Sequence, residues 1–473
     1  MSDNIHPAAT VARLDEDALA DFGAALAGEL VLPDSEGYEG ARSVWNGLVN
    51  RYPAVVARCA SADDVAAAID FARSHGLDLS VKAGAHNQTG AAVASHGLTV
   101  DLGGMDRVDV DPDERVARVG PGARAEDALA VTQEHGLAFP TGSAGDVGVP
   151  GSTLGGGIGW IRRKHGLAVD ALRRAEVVTA AGEVLTASPA ENEELFWAIR
   201  GGGGNFGVVT EFEFDLVSVG PLVQALGVYF PIEHSAETFR TLRDVMADAP
   251  DELTTMAMHA EVPGLPPIPE ELAGTPAACI LGCYAGDPEE GAEVIEPLRS
   301  VAEPLIDLSD VMPYEVLHDL GTQMYPWGRK YVHRSAFVDD LTDEVVDLVV
   351  ERGDAAPSPM SAITVWTLGG NVGRGQASAF AWSEKDYMLT IEANWEDFDT
   401  PANLEWARET EAALREAGAE GRYAGFTGVE QQPGEDWADE VYGENLPRLR
   451  EVKARYDPEN VFRLNVNVEP AAD

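Results

Sequence analysis

Four stretches gather glycine beside residues that could do chemistry: KAGAHNQTG at 82–90, GVPGSTLGGGIGW at 148–160, RGGGGNFGVVT at 200–210 and WTLGGNVGRG at 366–375. Glycine tolerates positive φ and lets a backbone approach a ligand closely, so that its N–H groups can cradle an anion. One such stretch is an ordinary turn. Three of them within residues 82–210, each beside a strand, argue for a bound ligand. His86 lies inside the first stretch. It is either a packed histidine in a turn or a group that touches whatever the loop holds. Tyr442, in EVYGENLPRL, is a packing residue or a proton carrier; the second role needs a neighbour that stabilises its phenolate.

Other chemistries lack their residues. Gly202, Gly204 and Gly207 have the spacing of a dinucleotide fingerprint, but that motif needs a strand before it and a helix after it. Here the helical AENEELFWAIR precedes and the strand-like VVTEFEFDL follows. No Walker lysine and no GxSxG elbow occurs, which leaves a P-loop and a serine hydrolase without support. The ten histidines form no HxxxH or HExxH pair, and Cys59, Cys279 and Cys283 form no CxxC, so no metal site is expected. Cys279 and Cys283 read as core filler. His135 and His165 each precede a glycine at an expected helix end and read as caps favoured by the helix dipole.

The elements that must position these residues fall into two groups. Asp15 to Leu30 reads as a helical lead. SADDVAAAIDFARSHG, with a capping serine, an acidic first turn and a terminal glycine, reads as a helix. LDLSVKA and GLTVDL read as strands on either side of the first glycine loop, RVDVDPDERVARVGPG as a hairpin and AEDALAVTQEHG as a helix. Beyond about residue 218 alternating strands take over: LTTMAMHAEV, AACILGCYAG, SAITVWTLGG and YMLTIEANW. Helical stretches near 235–248, 341–353 and 402–417 separate them, which describes a sheet with helices on one face. The tail is a helix stopped by Asp457-Pro458 and then an extended end.

With 473 residues the chain exceeds one hydrophobic core. Thirty-three basic against eighty acidic residues give a net charge of −47, which makes nucleic acid and anionic membranes poor partners. The acid is spread along the chain, and only five residues are lysine. Such a charge strains a compact fold unless salt screens it, and at molar salt the screening length falls to about 3 Å. A salt-rich cytoplasm is therefore expected, and the odd, low cysteine count suits a reducing compartment. No run of eighteen apolar residues occurs, and MSDNIHPAATVARLDEDALADFG lacks the basic-then-apolar order of a signal peptide.

In this order the motifs resemble the FAD-linked oxidoreductases of the vanillyl-alcohol-oxidase type, with a PCMH-type FAD domain. The similar branch is the berberine-bridge-enzyme-like one, which includes oligosaccharide oxidases. VKAGAHNQTG resembles its Arg-x-Gly-Gly-His loop, GVPGSTLGGGIGWIRRKHGLAVD its second flavin-contacting segment, LFWAIRGGGGNFGVVTEFEF its third motif and YGENLPRLREVKARYDPENVFRLN its C-terminal signature. The likeness runs from about Arg51 to Pro470. It implies an α+β fold: an FAD-binding domain of two α/β subdomains, and a substrate domain whose antiparallel sheet is covered by helices. On this chain that divides into a helical lead (1–45), an FAD part (46–218), a substrate part (219–425) and a C-terminal segment returning to the FAD part (426–473).

The resemblance also implies site residues. Lys82, Ala83, Gly84, Ala85, His86, Asn87 and Gly90 would cradle the FAD pyrophosphate, with His86 bonded covalently to the flavin 8α-methyl. Val147, Gly151, Ser152, Gly156, Gly159, Val209, Asn465 and Asn467 would complete the cofactor site. The family's second, cysteinyl link falls on Ala144, so a single link through His86 is expected. Lys82, Ala85 and Val466 stand where the family has arginine, glycine and glutamine. An alcohol or sugar-like substrate would give hydride to flavin N5 while Tyr442 takes the proton, and Val147 favours reoxidation by O2. Trp366, Trp382 and Tyr387 are candidates for stacking on the substrate. A dehydrogenase with another acceptor, a non-catalytic FAD carrier and a flavin-free glycine-rich binding protein are the alternatives; the colour of the purified protein separates the flavin-free case from the rest.

Overall fold

The computed structural model describes residues 14–375, 377–396, 399–429 and 437–472. The first thirteen residues of the expected lead, and residues 430–436 and 473 of the expected C-terminal segment, lie outside them.

The first sheet has the order Glu29–Val31, Val55–Arg58, Leu98–Asp101, Leu79–Lys82. Its last three strands are parallel, and parallel neighbours need a crossover. The helix Ala62–Ser74 supplies one: Ser61 caps it by accepting the N–H of Asp64, and Val65, Ala68, Ile69 and Ala72 form the buried stripe. The buried Asp64 carboxylate accepts the N–H groups of Ala27, Gly28 and Ala60, which ties the lead to this sheet. The lead helix stops at Ala25 instead of continuing to Leu30, and Glu29–Val31 joins the sheet as a strand. Gly28 permits this, since a Cβ there would stand 1.9 Å from the Arg58 carbonyl oxygen.

The second sheet is antiparallel, in the order Val108–Asp111, Val116–Val119, Val208–Asp215, Leu172–Val178, Val184–Ala187. Its core includes Leu195, Phe196, Phe212 and Phe214, together with Val441, Tyr442, Leu446, Leu449 and Val452 of the C-terminal segment.

The third sheet has eight strands, all antiparallel, from Leu222–Pro231 to Tyr387–Trp395. Helices Ser235–Met246, Asp343–Asp354 and Thr400–Glu416 cover one face. The other face is covered too, so Tyr387–Trp395 is buried along its whole length rather than half-exposed. The two-residue period still sorts its side chains: Tyr387, Leu389, Ile391, Ala393 and Trp395 pack toward the helices, while Met388 and Glu392 face a cavity. Strand Lys330–Val338 and helices Pro288–Arg299 and Tyr314–Met324 add to the elements expected from the sequence; the helices bury Gly291, Ile295 and Leu298, and Tyr314, Leu317 and His318, at helical spacing. In the strand, His333 and Arg334 interrupt the apolar pattern, and Arg334 is buried against Glu411. Among the described residues no helix is long and apolar enough to cross a membrane.

Candidate functional site

A cavity of about 470 Å³ lies between the third sheet and the first two. Ala83, Gly84, Ala85, His86 and Asn87 form part of its wall, just past the strand Leu79–Lys82. Among the described residues, the N–H groups of Gly84, Ala85, His86, Asn87 and Gln88 find no protein acceptor. Five consecutive free donors on a cavity wall are an anion cradle. Gly84 and Gly148 meet back to back: a Cβ on Gly84 would lie 2.4 Å from the Gly148 nitrogen. The glycine types are what allow the two loops to touch. Ala85 has φ +56, so the alanine that replaces the family's glycine is held in the left-handed region at a cost of about 1–2 kcal/mol.

The rest of the wall includes Val147, Gly151, Ser152, Gly203, Gly204, Val209, Tyr442 and Asn465. A Cβ on Gly151 or Gly204 would meet no protein atom within 4 Å, and the buried Asn465 Oδ1 has no partner among the described residues. Free N–H groups, bare glycine faces and an orphaned amide oxygen together fit FAD: the nest suits its pyrophosphate, and the flat glycine walls suit its ring system.

Several expected site residues stand elsewhere. Lys82 is spent on Asp101 at 3.3 Å, because the two are register partners in the first sheet. Gly90 packs on Val49, Gly159 against the Thr141 carbonyl and Gly156 near Phe380, so each serves close packing of the loops and not the wall. Asn467 is off the wall. Trp366 lines the cavity, with its Nε1 donating to Thr390 Oγ1 at 3.1 Å. Trp382 does not: it stacks on Phe337 and donates to the Val441 carbonyl. Tyr387 does not either, since strand parity turns it to the helices. The fourth glycine stretch packs at Arg163, where a Cβ on Gly370 would meet the carbonyl oxygen at 2.4 Å. His165 is no charged cap: burial pulls its pKa down to about 4.

Tyr442 is 1% exposed. Its hydroxyl donates to the Val466 carbonyl at 2.8 Å and accepts from Asn205 Nδ2 at 3.1 Å. Burial raises its pKa, and the Asn205 hydrogen bond offsets this only in part. The cation that would stabilise a phenolate is not among its partners, Lys82 being occupied by Asp101.

Sequence reasoning missed two carboxylates on this wall. Asp146 Oδ2 lies 2.9 Å from His86 Nε2. Glu392, 3% exposed, accepts hydroxyl hydrogens from Tyr325, Thr364 and Thr390, and among the described residues no lysine or arginine pairs with it. The signal available was the lone acid in the otherwise uncharged YMLTIEANW; a buried carboxyl is costly and is seldom kept without a use. Tyr325 and His333 line the cavity as well, and Met256, Met258, Leu281, Trp366, Met388 and Phe426 make much of the remaining wall apolar.

Known proteins are similar to this chain in sequence and fold. Residues 53–188 match the FAD binding domain family, and residues 393–469 match the family described as berberine and berberine like. The (R)-6-hydroxynicotine oxidase of Paenarthrobacter nicotinovorans is 30% identical over 451 residues, covering 94% of this chain and 97% of its own. The crystal structure of 6-hydroxy-D-nicotine oxidase from Arthrobacter nicotinovorans superposes with a TM-score of 0.82 at 28% identity, covering 94% of this chain and 98% of that one. Glucooligosaccharide oxidase from Acremonium strictum, which carries a 6-S-cysteinyl, 8α-N1-histidyl FAD, gives 0.82 at 25% identity over 96% of this chain and 100% of that one. The N–H cradle after the first parallel sheet, the glycine walls and these matches along nearly the whole chain have one reading: the protein belongs to the FAD-linked oxidoreductases with a berberine-like C-terminal region.

Proposed function

We propose that the protein holds FAD through a single covalent bond to His86 and uses it to oxidise a small, largely apolar alcohol, with O2 as electron acceptor. The observation that carries this reading is the run of free N–H groups at Gly84–Gln88 with His86 in its middle, on the wall of one large cavity. Bound flavin supplies the two-electron acceptor. The chain's own residues do the rest. Gly151 and Gly204 leave room for a flat ring, and Val147 would crowd that wall less than a bulkier side chain. Ala144 offers no sulfur for a second link. The methionine-rich wall excludes water and favours an apolar substrate over an extended sugar, whose hydroxyls would find few partners there. The salt-rich cytoplasm suggested by the charge belongs to the same reading.

Two groups on the wall are in position to take the substrate proton, Tyr442 and Glu392. For Tyr442 to serve, its hydroxyl must exchange Val466 for substrate and gain a stabilising neighbour. Tyr442→Phe should then cut the rate of flavin reduction about a hundredfold with the flavin still attached. A native rate removes Tyr442 and leaves Glu392→Gln as the variant to assay. Purified protein should be yellow, its His86 peptide should carry flavin mass after acid precipitation, and substrate should drive oxygen uptake. Colourless protein with full activity would overturn the reading.

A second reading concerns the substrate. A buried carboxylate with three hydroxyl donors and, among the described residues, no lysine or arginine paired with it is the complement of a protonated amine. Turnover of cyclic amines but not alcohols, lost in Glu392→Gln, would favour amine oxidation.

A further inference from the structure

Asp146 stands behind His86, sixty residues further along the chain. Its Oδ2 accepts from His86 Nε2 at 2.9 Å and from Trp327 Nε1 at 3.0 Å. The backbone around it is clamped: the N–H groups of Gly145 and Asp146 both donate to Thr322 Oγ1, at 2.9 and 3.2 Å, and that of Gly145 also reaches the His318 carbonyl. Thr322 and His318 belong to the helix Tyr314–Met324, so this helix holds the backbone that carries the carboxylate. The two side chains are 7% and 14% exposed, where water competes little for their hydrogen bond.

An ionised carboxylate only accepts hydrogen bonds, so His86 Nε2 must carry a proton and the lone pair of the neutral imidazole lies on Nδ1. Burial raises the Asp146 pKa, but the hydrogen bonds it accepts from His86 Nε2 and Trp327 Nε1 work against this, and the carboxyl lies below its usual range. Nδ1 meets no protein partner among the described residues, and His86 lines the cavity. The ring cannot easily turn over. Trp45 stacks on it at 5.2 Å and Trp327 meets it edge-on at 5.5 Å.

We propose that Asp146 is the positioning residue for covalent flavin attachment: it selects the Nε2–H tautomer of His86, leaves Nδ1 as the nucleophile and takes the Nε2 proton as the new bond forms. The proposal rests on the His86 linkage of the preceding section. In the step, a bond forms between Nδ1 and the 8α-carbon, and one C–H bond at that carbon breaks. The Nε2 proton passes to Asp146 and on to solvent, and the C–H proton is released. The two electrons of the broken bond enter the isoalloxazine and leave to dioxygen, which with the two protons becomes hydrogen peroxide. The linked flavin ends oxidised.

The test uses the full-length chain prepared without flavin and mixed with FAD in air. Attachment is followed as flavin fluorescence that survives acid precipitation and as flavin mass on the His86 peptide; total FAD binding is followed separately by absorbance of the folded protein. Native protein should link, and His86→Ala should not. Asp146→Asn should bind FAD yet link about a hundredfold more slowly, the scale of one positioned acid–base group. Asp146→Ala should be as slow, and formate, but not chloride at equal ionic strength, should speed it. That rescue would not occur if Asp146 only supported the fold, and it keeps the test decisive should the asparagine variant misfold. Linkage at the native rate in Asp146→Asn, or no response to formate in slow, folded Asp146→Ala, would overturn the proposal while leaving the His86 linkage intact. Native protein with no flavin mass on the His86 peptide would overturn both.

Discussion

Lys453→Met should loosen the C-terminal segment more than any exposed charge change could. Lys453 Nζ donates to Asp457 Oδ2 at 2.6 Å, to the Asn205 carbonyl at 2.8 Å and to the Phe462 carbonyl at 2.9 Å, which uses all three ammonium hydrogens. Asp457 also accepts the N–H groups of Val461 and Phe462, and both charged side chains are 0% exposed. The cluster joins helix Leu446–Tyr456 to the third glycine stretch and to residues 462–466, of which Phe462, Leu464, Asn465 and Val466 line the cavity. Burial lowers the Lys453 pKa, with the Asp457 charge working against it. Methionine keeps the stem and deletes the charge, leaving a buried carboxylate unpaired and two carbonyls unsatisfied. Breaking a buried pair from one side costs about 3–5 kcal/mol, against a typical total stability of roughly 5–15 kcal/mol. Urea denaturation in high KCl is the assay, because a buried pair is screened little and the loss should persist there. Lys453→Met/Asp457→Asn should recover part of the loss by removing the stranded charge. A loss below about 1 kcal/mol, or a double variant no better than the single one, would refute the assignment of the cluster as the anchor of this segment.

Three further outcomes are expected. Gly84→Ala would push a Cβ to 2.4 Å from the Gly148 nitrogen; overpacking of about 1–3 kcal/mol and loss of bound flavin should follow, whereas Gly204→Ala, with no protein atom within 4 Å, should fold normally and lose flavin alone, as read from flavin absorbance per protein. Acid should destabilise the protein through His318: burial pulls its pKa down to about 3, so the unfolded chain binds a proton that the native state refuses, and stability falls as pH drops below 6.5, by roughly 2 kcal/mol at pH 5. His165, His259 and His333 are lowered by burial as well and act in the same direction; denaturation curves from pH 7 to 5 should flatten in His318→Leu, and an unchanged slope counts against the buried neutral histidine. Finally, the melting temperature should climb with KCl, and equal stability at low and multimolar salt would contradict charge screening as the reason for the net charge of −47.

What could be read from the sequence was whatever a short segment must do by itself. Ser61 and its acidic first turn start a helix wherever they are placed, and the cap appears as expected. Glycines that permit close approach announce the loops; Gly84, Gly148 and Gly151 line the cavity, while Gly90, Gly156 and Gly159 serve packing. The strands LTTMAMHAEV and YMLTIEANW were legible as strands. Which of their faces meets the cavity was not, because that depends on what covers each side: parity gives Met388 and Glu392 to the cavity and Tyr387 to the helices, and the second covering layer comes from the other end of the chain. Trp382 looked like a substrate platform and became a strut, since its N–H finds the Val441 carbonyl only after folding. The same holds for the chemistry. The residue types His86 and Tyr442 were visible, but the carboxylate that meets His86 belongs to Asp146 sixty residues away, and the Tyr442 hydroxyl is committed to Val466. Local backbone demands are paid within a few residues and so are written in them; hydrogen-bond partners, burial and the pKa values they shift arise between distant segments, and only the tertiary structure brings those together.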